Sequence, residues 1–205
     1  MKYIFVAGAP GSKWSSVVKN IYFSPDIDQT DYSEARTYWH DAPGQLELMH
    51  IGAYFDPGME FSLPEEFESH SREQLEKIFD SAFTGTGVRI IKSHMFSNHI
   101  DYIKRTWPEC PMILVHRPND ACLGWWVKCG HFDITYPKYD HYFVDLKVMA
   151  QRIREQNAGI IQATYRYPGH CALTNQSLCR MLGIAIPPEE YDQDYGQSDV
   201  RVTLI

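Results

Sequence analysis

Features typical of several classes of protein are missing from this sequence. Across its 205 residues, no apolar run is long enough to cross a membrane. Basic residues are in deficit, since 19 lysines and arginines stand against 26 aspartates and glutamates and the formal net charge is −7. This balance argues against a general nucleic-acid binder, whose footprint is a basic excess. We therefore predict no membrane span and no nucleic-acid partner, while a local cationic pocket for an anion stays compatible with the net charge.

Cysteine pairs are missing as well. The five cysteines form no C-x-x-C motif and are odd in number, so free thiols in a reducing compartment are the simplest interpretation. A lysine and a short apolar run open the chain, but a glycine-rich turn ends that run before it reaches the length of a signal-peptide core. Together these observations predict a cytoplasmic protein.

The composition that is present is that of a globular domain. Apolar residues make up 44% and charged residues 22%, and the length suits one domain with a sizeable core. We find no repeat, no low-complexity tract and no linker that would divide the chain. A single domain over 1–205 is therefore predicted, with an irregular, proline- and aromatic-rich stretch at 23–68 and a polar tail at 187–205.

Short β-rich runs alternate with helical patterns along the chain. Four runs are predicted as strands, at residues 2–8, 88–94, 111–117 and 159–165. The helices between them include one that a capping box of Ser71 and Gln74 begins and Gly85 or Gly87 ends, and another from 143 to about 159. This alternation is typical of an α/β sandwich with a mainly parallel central sheet. The C-terminal run VRVTLI is predicted to add an edge strand or to pack on a partner.

The four predicted strands end in similar chemistry. In a parallel α/β sheet, ligands gather outside the carboxyl ends of the strands. These ends read, in chain order, Gly8-Ala9-Pro10-Gly11-Ser12-Lys13, Lys92-Ser93-His94, His116-Arg117 and Tyr165-Arg166. Every end carries a cationic or titratable side chain, and none carries a carboxylate. In a chain with a net charge of −7, this concentration indicates an anion site.

The first of these ends, within GAPGSKWSS, allows three interpretations. Glycines and backbone amides at a helix N-terminus suit a phosphate, but a kinase P-loop starting at Gly8 would need Gly and Lys where this chain has Lys13 and Trp14. A kinase would also need an aspartate at a neighbouring strand end to hold Mg²⁺, and neither the second nor the third predicted strand has one. The segment is thus an ordinary tight turn, an atypical kinase loop, or a phosphate loop for metal-free chemistry.

The order of these segments resembles the sulfotransferases that use 3′-phosphoadenosine 5′-phosphosulfate (PAPS). In that family a P-K-S-G-T-T-W-type loop holds the 5′-phosphosulfate, a K-T-H segment supplies a catalytic lysine and histidine, and a V-R-N-P-K-D-type segment binds the 3′-phosphate. The corresponding segments here are GAPGSKW, IIKSH and ILVHRPND, followed by IIQATY before CRMLGI. The resemblance runs from about residue 3 to about residue 184, and it implies a P-loop NTPase-like three-layer α/β sandwich.

The resemblance also implies a role for each matching residue. His94 would accept the proton of an acceptor hydroxyl or amine, while Lys92 and Lys13 would offset charge on the transferring sulfuryl group and the leaving phosphate. The residues expected to bind the donor are Gly11, Ser12, Lys13, Trp14 and Ser15 at the 5′-phosphate and His116 and Arg117 at the 3′-phosphate, with Tyr165 matching a late family tyrosine. The implied co-substrate is PAPS, its product is 3′-phosphoadenosine 5′-phosphate, no metal is implied, and the acceptor is a small molecule or a glycan.

Departures from the family pattern leave alternatives open. Ala9 stands where the family loop has its lysine, and Gly124 where a serine would contact the 3′-phosphate, so Lys13 has to supply the missing cation. A nucleotide or nucleoside kinase with an atypical loop, or a non-catalytic nucleotide-binding protein of the same fold, also fits the sequence. Taken alone, His94 suits a hydrogen-bonded strand-end histidine, and Arg117 suits a surface ion pair with Asp120.

Two weaker patterns lie in the second half of the chain. The aromatic-rich segment 129–143 fits either an acceptor site or a lid over the core. The histidines and aspartates in and just after it have no recognisable zinc or two-metal spacing; these are His131, Asp133, Asp140, His141 and Asp145.

Overall fold

The fold is described by a computed structural model, which covers residues 1–36, 38–42, 45–57, 59–64, 66–129, 143–188 and 194–205. Within these ranges the α-helices are α1 Trp14–Tyr22, α2 Arg72–Asp80, α3 Ile100–Thr106, α4 Asn119–Lys128, α5 Leu146–Arg166 and α6 Asn175–Leu182. The strands are β1 Tyr3–Gly8, β2 Tyr38–Ala42, β3 Gln45–His50, β4 Arg89–Lys92, β5 Met112–His116, β6 His170–Ala172 and β7 Arg201–Leu204. No helix in these parts of the chain is both long and apolar enough to cross a membrane.

The main sheet has five strands in the order β4-β1-β5-β7-β6, and β2 and β3 pair separately as an antiparallel hairpin. β1 runs parallel to β4 and β5, whereas β7 runs antiparallel to both β5 and β6. The α/β class is therefore confirmed, but the sheet is mixed and only partly parallel. The C-terminal run forms a strand as predicted, yet it lies inside the sheet rather than at its edge, because it fills the space between β5 and β6.

The fourth predicted strand, residues 159–165, is wrong. These residues form the second half of α5, a helix of 21 residues that Asp145 caps by accepting a hydrogen bond from the Val148 amide. The apolar run was too short for its period to separate strand from helix. The helical period becomes visible only when the run is joined to the preceding turns, whose buried positions continue through Ile160 and Ala163.

Both faces of the sheet are covered, and the alternation along β1 shows how. Ile4 and Val6 face a core that includes residues of α1 and α6. Tyr3, Phe5 and Ala7 face a second core built with α2, α3 and α5. A strand buried on both faces is continuously apolar, as the sequence of β1 is. The carboxyl ends of β1, β4 and β5 consequently lie between two layers of packed side chains.

Helix α2 begins where the sequence predicts, and residues 51–57 bear on the candidate site. The capping box that begins α2 is confirmed, since the Gln74 amide donates to Ser71 Oγ and the Ser71 amide donates to Gln74 Oε1 at 2.8 Å, although the helix ends at Asp80 rather than at a glycine. Residues 51–57, inside the stretch predicted to be irregular, are buried. The Phe55 amide donates to the Lys92 carbonyl at 3.2 Å, so this segment packs against the carboxyl end of β4.

Candidate functional site

The loop between β1 and α1 (residues 9–13) is a compact turn that leads into a helix N-terminus. Gly11 has φ 76°, and a side chain there would collide with the carbonyl of Cys122, so both conformation and space require glycine. The Ser12 amide donates to the Ala9 carbonyl at 3.0 Å. Ser12 Oγ is buried and has no hydrogen-bond partner among the described residues. A turn of this kind presents amides and a hydroxyl to an anion.

The start of α1 is left open to an anion by the same loop. Its N-cap residue, Lys13, has φ 63° and makes no side-chain hydrogen bond to the helix, and the first turn contains no acidic residue. Trp14 and Ser15 follow directly, and their amides, as the first in the helix, have no acceptor one turn earlier within it. Because the N-terminal end of a helix carries partial positive charge, it favours a negatively charged group.

His94 is joined to this loop by a hydrogen bond that determines its tautomer. Nδ1 lies 2.6 Å from the Gly8 carbonyl oxygen, which can only accept, so Nδ1 carries the hydrogen. In the neutral ring Nε2 then holds a lone pair, and it accepts from the Tyr54 hydroxyl at 2.9 Å. The ring packs against Trp14 with the ring centres 4.3 Å apart and the planes tilted by 33°. This geometry orients a basic nitrogen away from the loop and towards a hydroxyl group.

Burial also sets the charge of this histidine. His94 is 1% exposed, and burial lowers its pKa, although the Asp56 charge and the bond to Gly8 oppose that shift. A histidine with a lowered pKa is neutral at physiological pH and can accept a proton. His94 is therefore both a hydrogen-bonded strand-end histidine, as the simpler interpretation required, and a group with the geometry of a general base.

Asp56 holds the turn that carries His94. Its Oδ1 accepts from Ser93 Oγ at 2.6 Å and from the His94 amide at 2.8 Å. Its Oδ2 is buried without a hydrogen-bond partner in the described parts of the chain. Burial raises the pKa of this carboxyl, and the His94 charge and these hydrogen bonds act against the rise. The residue positions the turn after β4 rather than contacting the loop after β1.

Lys92 is the last residue of β4, and its side chain is buried against residues 51–57. It is 2% exposed, and its ammonium donates to the Ile51 carbonyl. Burial lowers the pKa of Lys92 to about 7, and the charges of Asp31 and Asp56 only partly offset that effect. Among the described contacts, none joins this ammonium to the β1–α1 loop. Its expected place beside the transferring group therefore stays a prediction.

Three cations surround the indole of Trp125, on α4. The Lys13 ammonium lies 4.6 Å from the ring centre, that of Lys128 lies at 5.4 Å, and the Arg117 guanidinium lies at 5.9 Å. Arg117 also donates to the Gly11 carbonyl at 3.2 Å and pairs with Asp199 at 2.7 Å. The fold thus brings Lys13 and Arg117, both predicted to bind the co-substrate, to the side chain of Trp125. The carboxylate that Arg117 contacts is Asp199, not the predicted Asp120.

The remaining predicted residues are more scattered. His116 is half-buried at the end of β5, where burial and the charge of Arg201 lower its pKa, and no described contact links it to the loop. Tyr165 is 88% exposed on α5, and Arg166 pairs with Asp101, so neither stands at a strand end. No described group of three or more His, Cys, Asp and Glu residues could hold a metal ion. The candidate metal ligands His131, Asp133, Asp140 and His141 lie outside the described residues.

Sequence reasoning missed four residues that shape the site. Tyr54 and Asp56 lie in the stretch predicted to be irregular, and Lys128 and Asp199 matched no motif. A signal for the first two was present, because an aspartate inside the apolar run AYFDP is costly to bury unless it binds something. No comparable signal marks Lys128 or Asp199, which are brought to Trp125 and Arg117 by the fold alone.

The chain was also compared with known proteins. No family model, no curated protein and no solved structure matches it.

Proposed function

We propose that this chain is a sulfotransferase-like enzyme of the P-loop three-layer α/β type, which moves a sulfuryl group from PAPS to a hydroxyl or amine without a metal. The observation that carries the proposal is the hydrogen bond between His94 and the Gly8 carbonyl. It sets a candidate general base against the start of a loop with the properties of a phosphate site. The acceptor class that we propose is a small molecule or a glycan.

On the donor side, the proposal assigns the 5′-phosphosulfate to the β1–α1 loop. The amides at Lys13, Trp14 and Ser15, the Ser12 hydroxyl and the Lys13 ammonium would contact it. Ser12 Oγ is a buried hydroxyl that lacks a partner in the described chain, and an anion in the loop would supply one. These features support an anion site independently of the resemblance.

Of the three cations around Trp125, Arg117 and Lys128 would serve the second phosphate of the donor. Arg117 is the proposed contact, with His116 at the adjacent strand end. Lys128 adds a positive charge where the family serine is replaced by glycine, because it lies one turn beyond that position on the same helix. Three cations around one aromatic ring, with a single described carboxylate bound to one of them, favour a multiply charged anion.

In the proposed transfer, Nε2 of His94 takes the proton of the acceptor as its oxygen or nitrogen attacks sulfur. The bond between sulfur and the bridging oxygen of the donor breaks, and 3′-phosphoadenosine 5′-phosphate leaves. Lys13 stabilises the charge that develops on the leaving phosphate. For Lys92 to contribute, its ammonium has to exchange the Ile51 carbonyl for the donor when the donor binds.

A second candidate, a non-catalytic nucleotide-binding protein, is favoured by one observation. His94 and Lys92 are both buried, and each already has a main-chain carbonyl as a partner. Both residues could then serve stability alone. Binding of the donor is common to the two candidates, and transfer separates them.

The first experiment measures binding by calorimetric titration with 3′-phosphoadenosine 5′-phosphate and, separately, with ATP·Mg²⁺. We expect micromolar binding of the bisphosphate without metal, weakened about tenfold or more in Lys13→Ala, which corresponds to about 1.4 kcal/mol. Lys147→Ala, at an exposed lysine on α5, is the matched control and should bind normally. No binding of the bisphosphate overturns the proposal, and binding of ATP·Mg²⁺ alone favours a kinase.

The second experiment measures transfer from PAPS to a panel of hydroxyl and amine acceptors. His94→Asn keeps an N–H group that can donate to Gly8 but has no basic nitrogen. We expect this variant to bind the bisphosphate and to lose transfer. If the unaltered chain binds the bisphosphate but transfers to no acceptor, the non-catalytic candidate is the better one.

A further inference from the structure

The position that an acceptor would occupy on the candidate base is filled by a residue of the chain itself. In its neutral form His94 has one lone pair, on Nε2, because Nδ1 donates to the Gly8 carbonyl. The Tyr54 hydroxyl donates to that lone pair at 2.9 Å. The three groups have the arrangement of a nucleophile, a base and a group that orients the base.

Tyr54 is held in this position from several sides. Its ring meets Trp14 edge-on with the ring centres 5.2 Å apart, and it packs on His50 at 4.4 Å. The Lys92 ammonium lies 5.5 Å from the centre of the same ring. The hydroxyl is therefore kept at the imidazole by packing.

The neighbouring main chain is anchored as well. The Ala53 amide donates to Asp31 Oδ2 at 2.7 Å, and the Phe55 amide donates to the Lys92 carbonyl. Residues on both sides of Tyr54 are thus tied to other elements. This preorganisation is what a reacting hydroxyl needs, because a group held in place does not have to be positioned again during the reaction.

We propose that Tyr54 is itself an acceptor and is converted to tyrosine O-sulfate by the chain that carries it; this inference rests on the proposed function. In the step, the phenolic proton moves to Nε2 of His94, and a bond forms between Tyr54 Oη and the sulfur of PAPS. The bond between that sulfur and the bridging oxygen breaks, and 3′-phosphoadenosine 5′-phosphate leaves with the electron pair. The step needs PAPS and no other reagent.

Two other buried tyrosines differ from Tyr54 in their hydrogen-bond partners. Tyr3 donates to Asp80 and Tyr22 donates to Asp31, and their pKa values are raised by burial and by these carboxylates. A carboxylate beside a phenol opposes the approach of an anionic donor. Tyr54, in contrast, has a neutral base as its partner and the Lys92 amine near its ring.

The test incubates the full chain with PAPS in the absence of any other acceptor, followed by intact-mass measurement and peptide mapping. We expect one added SO₃ group per chain, on the peptide that contains Tyr54. Tyr54→Phe and His94→Asn should both lose the label, and the second variant separates the chemistry from the mere presence of the tyrosine. Tyr165→Phe, at an exposed tyrosine, is the control and should keep the label.

Each other outcome overturns the inference in a recognisable way. If the chain binds the bisphosphate and sulfates added acceptors while Tyr54 stays unmodified, the inference fails and the proposed function stands. If the label spreads over several tyrosines, including Tyr165, the modification is not directed by His94. If the bisphosphate does not bind at all, the proposed function fails and the inference fails with it. Binding by Tyr54→Phe verifies that this variant is folded.

Discussion

The buried lysine at the end of β4 leads us to predict how the stability of the chain changes with pH, whatever its function. Lys92 is enclosed, and desolvation lowers its pKa from 10.5 to about 7 despite the attraction of Asp31 and Asp56. In the unfolded chain this lysine regains its ordinary pKa. Between these two values the unfolded chain binds one proton more at this position than the folded chain does. Stability must therefore rise with pH over that interval.

The size of the effect follows from the linkage relation. One proton of difference changes the free energy of unfolding by about 1.4 kcal/mol per pH unit. Between pH 7 and pH 10 the contribution of Lys92 thus changes by about 4 kcal/mol, with folding favoured at the higher pH. Below pH 7 both states are protonated and the contribution is flat.

The assay compares the unaltered chain with Lys92→Met, which has a similar length and no charge. Urea unfolding at a series of pH values gives the free energy of unfolding of each protein by linear extrapolation. The difference between the two removes the titration of other groups, so its slope with pH reports Lys92. We expect the free energy of unfolding of the unaltered chain to increase relative to that of the variant as the pH rises. The size of the difference in free energy of unfolding at any one pH also contains the hydrogen bond to Ile51 that the variant loses. The prediction therefore concerns only how that difference changes with pH.

A matched variant tests whether the slope comes from burial. Lys147→Met removes an exposed lysine on α5, and the slope with pH for Lys92→Met should exceed the slope for this control. A flat difference for Lys92→Met would refute the reasoning, because it would mean that Lys92 keeps its ordinary pKa in the folded chain.

Two further predictions concern a pair of helical glycines and the arginine of the candidate site. Gly124→Ala should stabilise the chain by about 1 kcal/mol, since alanine favours a helix and an added methyl there meets nothing within 4 Å. Gly159→Ala should instead destabilise it by about 1–3 kcal/mol, because the methyl would collide with a main-chain carbonyl; equal effects in thermal unfolding would contradict this. Asp199→Asn should tighten bisphosphate binding about threefold or more by releasing Arg117 from its ion pair. Calorimetry that finds unchanged affinity would argue against Arg117 as a donor contact.

Much of the local structure was predictable because its signals are local. The apolar run of β1 and the capping box before α2 both act within a few residues, and each marks a real boundary. The strand ends carrying Lys92 and Arg117 were located for the same reason. Three of the four predicted strands are present, and they are the three that place the candidate site.

Other features depend on contacts between distant parts of the chain. Residues 159–165 have the composition of a strand within a short window, and they form the second half of α5, which packs against the turn after β4 where Gly159 approaches the Ser97 carbonyl. The C-terminal β7 lies inside the sheet because it pairs with β5 on one side and with β6 on the other. Neither arrangement has a signal within a short window of sequence.

The sequence by itself determined which residue types stand at the strand ends, and so pointed to an anion and a histidine base. Only the tertiary structure decided what those side chains face. In the folded chain the Lys92 ammonium donates to the Ile51 carbonyl, and Lys13 and Arg117 both lie near the Trp125 ring. The Tyr54 hydroxyl donates to His94. The physical reason is that hydrogen-bond partners and burial are properties of the space around a side chain, and segments far apart in the chain supply that space.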